Sequence, residues 1–152
     1  MNNVILERHK PSDYTVNFDG KRYVWAGAKG SKVGSRTVTS DVYDYLSMFT
    51  TCLTDGELII AKKNANVEDL KEDLYGKEEY EVNALTREEV ITILKGTMKK
   101  MESELNKVTS ESTKRFVLEV AKEIKLDNYN KQKFIKEWIG YELSVEDLFD
   151  AE

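Results

Sequence analysis

One histidine, one cysteine and scattered clusters of acids and lysines are all the reactive chemistry in this chain of 152 residues. His9 sits beside Lys10 and Pro11 at the end of a short apolar run. No carboxylate partner is evident from spacing, so it reads as a surface histidine. Cys52 has no His or Lys close in sequence to activate its thiol, and reads as a small core hydrophobe in a reducing compartment. A single His excludes paired-histidine metal sites and leaves little room for a His-centred triad. A single Cys excludes an internal disulfide framework and a Cys-based zinc finger. The carboxylate pairs Glu68/Asp69, Glu88/Glu89 and Glu102/Glu104 fit solvated helix faces and caps. No calcium loop of the D-x-D-x-D-G type occurs. No catalytic, cofactor-binding or metal-ligating residue is expected, and the chain reads as non-enzymatic.

Binding is the remaining chemistry. Gly27-Ala28-Lys29-Gly30-Ser31-Lys32 lacks the P-loop spacing, and its G-x-x-G follows a strand rather than joining two helices as a KH clamp does. It reads as an exposed β-connection, with Lys29, Lys32 and the nearby Arg36 available to an anion or a partner. Lys131, Lys133 and Lys136 near Trp138 form the best basic patch. The bundle's lysines alternate with glutamates, which favours solubility and helix pairing over nucleic acid. The tail 142–152 couples Leu143, Val145, Leu148 and Phe149 to five acids. It can dock on a partner or fold back on its own helices.

The elements that must position these residues follow the charge. Residues 1–62 hold eight basic and seven acidic side chains, 63–85 three and seven, 86–139 twelve and nine, and 140–152 none and five. The net charge of −5 therefore resides in a connector and a tail, and a dedicated nucleic-acid coat is not expected. In the first module, Val4-Ile5-Leu6, Tyr14–Phe18, Lys21–Ala26, Arg36–Thr39 and Glu57–Ala61 read as strands. Asp19-Gly20 is a type I′ hairpin turn. A helix with Ser40 as N-cap carries Val42, Tyr45, Leu46 and Phe49 on one apolar face. The stretch 63–85 reads as a solvated acidic linker with a short helix near 66–75, ended by Gly76, and a charged, mobile 77–81.

From Thr86 onward the pattern is helical. Val90, Leu94, Met98, Met101, Leu105 and Val108 form one stripe interrupted by Gly96. A second helix is capped by Thr109 or Ser110. A third is capped by Asp127 or Asn128 and stopped by Gly140. The fold class is α+β: an antiparallel β-rich module with one helix (1–62), an acidic connector (63–85), and a three-helix bundle with an acidic tail (86–152).

The run Arg36-Thr37-Val38-Thr39, then Val42-Tyr43-Asp44-Tyr45-Leu46, then Asp55-Gly56-Glu57-Leu58-Ile59-Ile60 resembles a strand–helix–strand pattern of small accessory proteins of tailed bacteriophages. It covers about 25 residues and transfers no functional residue. The resemblance implies a structural or adaptor subunit of a larger assembly, such as a virion component. Other protein subunits would be its partners, and the assembly would set its oligomeric state. The alternative is a small regulator or inhibitor that binds a host protein through acidic surface; a weak nucleic-acid-binding module ranks third. The longest apolar runs fall far short of the roughly 20 residues that span a bilayer. A soluble protein of virion or host cytoplasm, free of membranes, is expected.

Overall fold

Alternation builds the first strand: Val4, Leu6 and Arg8 are buried, while Ile5 and Glu7 between them are half-exposed. The computed structural model of the chain describes residues 3–29, 32–141 and 144–150, with the side chains of Asp147 and Asp150 left aside. The chain divides into two units, Met1–Thr86 and Arg87–Glu152.

In the first unit, β1 (Asn3–Arg8) is the centre of a three-stranded antiparallel sheet. A hairpin precedes the next strand of that sheet. It comprises β2 (Tyr14–Phe18) and β3 (Lys21–Trp25), which form a two-stranded sheet among the described residues. Asp19 and Gly20 both take positive φ, as the expected type I′ turn requires. The hairpin is fastened to β1 by Trp25, which is buried and donates from Nε1 to Leu6 O at 3.1 Å. Its exit is close-packed: a Cβ on Gly27 would lie 2.0 Å from Pro11 O. Only glycine fits there.

β4 (Gly34–Thr39) and β5 (Ile59–Ile60) flank β1. Leu58 to Ala61 are all buried, yet only two of them pair as strand. Asn64 takes over where the ladder stops: its side-chain amide accepts from Ile5 N at 2.8 Å and donates to Ile5 O at 2.9 Å. Between β4 and β5 lies α1 (Ser40–Phe49). It starts one residue earlier than expected, with Thr39 at the N-cap and no side-chain cap bond. Val42, Tyr43 and Leu46 face inward, Tyr45 is half-buried, and Phe49 is 75% exposed. The expected apolar face therefore outruns the core it was meant to cover.

The acidic stretch 63–85 belongs to this unit and is not a free linker. α2 (Val67–Glu72) is followed by Leu74, and α3 (Lys77–Asn83) contributes Tyr80; both side chains are in the core with Val4, Leu46 and Leu53. Tyr80 Oη accepts from Ile60 N at 2.9 Å, satisfying a backbone donor of β5. The charged run 77–81 is helical because this tyrosine anchors it.

In the second unit, α4 (Arg87–Lys95) and α5 (Met98–Leu105) replace the single expected helix. The chain breaks at Gly96, and Thr97 caps α5 by accepting from Lys100 N. α6 (Glu111–Glu123) and α7 (Tyr129–Ile139) start at the caps Ser110 and Asn128, and Gly140 ends α7 in the left-handed region. α8 (Val145–Asp150) packs on α7. Val90, Leu94, Met101, Leu105, Phe116, Val117, Val120 and Ile135 are buried.

Candidate functional site

The strongest concentration of polar chemistry lies at the end of β1. Arg8 is 4% exposed and Lys10 5%. The Arg8 guanidinium donates to Ser12 O (2.8 Å), Ser12 Oγ (3.0 Å), Glu57 O (2.9 Å) and Glu57 Oε1 (2.8 Å). It also lies over the Tyr14 ring, 5.3 Å from its centroid. Lys10 Nζ donates to Asp55 O at 3.5 Å and stands 3.7 Å from Glu57 Oε1. Two cations thus share one carboxylate. Burial brings the Lys10 ammonium down to about 8, against the pull of Glu57 and with a push from Arg8. Beside them Tyr14 and Cys52 share a hydrogen bond; burial raises the Tyr14 hydroxyl and lifts the Cys52 thiol to about 12. Cys52 is thus an inert core thiol, as its sequence context suggested. The cluster joins the loop after β1 to the 55–57 turn, with both cations buried.

His9 departs from expectation. Its Nε2 lies 2.9 Å from Glu7 Oε1 and its side chain is 10% exposed, so it is neither a surface group nor without a carboxylate partner. Positions two apart on a strand face the same side, which is the signal that spacing alone could have supplied. Nδ1 is buried without a hydrogen bond among the described residues.

The expected partner-binding residues scatter. Lys29 and Lys32 are exposed, and their backbones pair across the loop tip. Arg36 lies over the Tyr23 ring at 5.0 Å and reaches Val24 O at 3.4 Å, which fixes it along the hairpin. Leu143 lies outside the described residues. Val145 and Leu148 are buried in the second unit, and Phe149 is half-buried. Of the two arrangements open to the tail, these two side chains are buried in a helix that packs on α7. The basic patch is also partly consumed: Lys131 Nζ donates to Leu94 O and Gly96 O at 2.6 Å each, closing the end of α4. Lys114 Nζ lies over Trp138 at 5.5 Å.

A surface that went unnoticed in the sequence lies in the first unit. A cleft of about 270 Å³ opens between α1 and α2, with Val4, Tyr43 and Leu70 in its lining. Asp44, Asp69 and Asp73 also line it, with no Lys or Arg in the lining among the described residues. Met48 and Tyr75, 64% and 77% exposed, also line it. Phe49 follows Met48 and continues an aromatic row: Phe18 to Tyr45 at 4.8 Å, Tyr45 to Phe49 at 6.1 Å. Tyr43 donates to Leu70 O at 3.3 Å; burial first, then Asp44 and Asp73, push its hydroxyl up to about 12. No cluster able to hold a metal ion occurs among the described residues.

Residues 2–75 match the family model of the YonA N-terminal domain, and residues 86–145 that of the YonA C-terminal domain. The chain carries both YonA domains. The two matches leave out residue 1, residues 76–85 and residues 146–152. No curated protein and no solved structure matches the chain. The cleft lies wholly within the stretch that matches the YonA N-terminal domain, Tyr75 being its last residue. The match to the YonA C-terminal domain ends at Val145, the first residue of α8. No helix among the described residues is long and apolar enough to cross a membrane.

Proposed function

We propose that this chain is a non-enzymatic docking subunit of a larger assembly, of phage type, whose first unit engages a neighbouring protein. The observation that carries it is the exposed apolar pair Met48 and Tyr75, which line one cleft of the first unit. Exposed large apolar side chains that cluster, rather than scatter, mark interaction surfaces. The division into two units supports attachment of one unit to each of two neighbours. YonA is a protein name of phage type, which agrees with the strand–helix–strand resemblance at residues 36–60. Mass spectrometry of phage particles purified from the source tests the role. The chain is expected at a fixed ratio to the particle's other proteins. Particles that lack it, together with a strictly monomeric chain in solution, overturn the proposal.

A further inference from the structure

The cleft between α1 and α2 has a chemistry of its own. Among the described residues, its lining presents three carboxylates and no cation. Asp44, Asp69 and Asp73 form no ion pair among the described residues, although the same unit pairs Glu57 with Arg8 and Lys10, and Glu72 and Glu81 with Lys77. Asp69 also lines a neighbouring hollow that includes Lys63, so Asp44 and Asp73 are the acids set apart for the cleft. Both side chains are exposed, and both add to the burial that raises the Tyr43 hydroxyl in the cleft lining.

The apolar half of the cleft is equally unspent. Leu70 is half-buried, and Met48 and Tyr75 stand largely exposed. A flexible methionine and an aromatic ring in one cleft lining suit an aliphatic side chain of variable shape. Carboxylates in the same lining suit the Lys or Arg that flanks such a side chain.

We propose that this cleft receives a segment of a partner protein in which Lys or Arg residues flank an aliphatic anchor. The proposal rests on the docking role above and names the chemistry of the segment docked. The anchor would enter over Tyr43 and Leu70, between Met48 and Tyr75. The flanking cations would meet Asp44 and Asp73. Charge complementarity sets the orientation and the speed of encounter, and the apolar contact sets the lifetime.

The test uses the full chain labelled with 15N and three synthetic peptides of equal length: alternating Lys and Leu, alternating Glu and Leu, and alternating Lys and Ser. The Lys/Leu peptide should give saturable amide shifts centred on Asp44, Met48, Leu70, Asp73 and Tyr75. The other two peptides should give none. In the double variant Asp44→Asn/Asp73→Asn the affinity should fall about tenfold, the loss of two partly shielded ion pairs. Met48→Ser at an exposed position should weaken binding while the spectrum away from the cleft stays unchanged. Absence of saturable binding, shifts centred elsewhere, equal binding of the Glu/Leu or Lys/Ser peptide, or an unchanged affinity in the double variant overturns the proposal. So does self-association through the cleft in sedimentation of the chain alone, since a second copy would then be the occupant. Particle content reports the docking role independently, so the two ideas can fail separately.

Discussion

Replacing Lys10 by Met should change how stability depends on pH. Lys10 is 5% exposed and its ammonium is brought from 10.5 to about 8, mainly by burial. In the window between those values the unfolded chain holds the proton and the folded chain has lost it. Stability therefore rises with pH across the window, because the unfolded state binds more protons. Titrating this one group between pH 7 and pH 10 stabilises the fold by about 2.5 kcal/mol, at about 1.4 kcal/mol per pKa unit. The Met variant has no such gain. Cys52 acts in the opposite sense: burial lifts its thiol from 9 to about 12, so its contribution is lost as pH rises above 9. Tyr14 and Tyr43, both raised by burial, act like Cys52 above pH 10. Tyr14 and Tyr43 are present in both proteins and cancel in the difference, while the effect of Cys52 on Lys10 is already contained in the value of about 8. The assay is urea unfolding at pH 7, 8, 9 and 10, read by Trp25 in a Trp138→Phe background so that only the first unit reports. Wild type should gain on the variant by about 2.5 kcal/mol over the series. A difference that stays flat to within about 0.5 kcal/mol would show that Lys10 is charged and solvated at all these pH values, and would refute the buried-pair argument.

Three further outcomes follow from particular contacts. Lys131→Ala should destabilise the second unit by about 1–3 kcal/mol, because two carbonyls at the end of α4 lose a charged donor. Trp138 fluorescence during urea unfolding measures this, and an unchanged midpoint refutes it. Leu148→Ala should cost about 2–4 kcal/mol in the same assay if α8 is part of the folded unit; a cost near zero would return the tail to the role of a free docking peptide. Gly27→Ala should cost about 3 kcal/mol or more, since a Cβ would lie 2.0 Å from Pro11 O and the backbone must move. A thermal midpoint equal to wild type would contradict that packing.

How much of this was legible in the sequence depended on the range of the interaction. Local signals were reliable. Asp19-Gly20 marked the hairpin, Thr109 or Ser110 and Asp127 or Asn128 marked the helix starts found at Ser110 and Asn128, and Gly140 marked a stop, because each acts on backbone within four residues of itself. The α+β class followed from the change in apolar period between the two halves. What failed was long-range. Acidic composition hid the anchors Leu74 and Tyr80, whose partners lie across the first unit, so residues 63–85 read as linker. Lys131 looked like a basic patch because its acceptors, Leu94 and Gly96, lie more than 30 residues away. Phe49 obeyed the helical period yet stands outside, since periodicity says which face a residue occupies and not how far the core extends. The cleft is assembled from α1 and α2, from residues each of which looks ordinary in its own segment.

Photo-cross-linking from position 48 in cells producing the assembly tests the docking claim most directly. With a benzophenone amino acid in place of Met48, irradiation should yield one dominant adduct to an assembly protein. Peptide mapping should place the bond beside an aliphatic residue flanked by Lys or Arg, and Asp44→Asn/Asp73→Asn should reduce its yield. An adduct confined to another copy of this chain, or a diffuse ladder that the double variant leaves unchanged, would contradict the account.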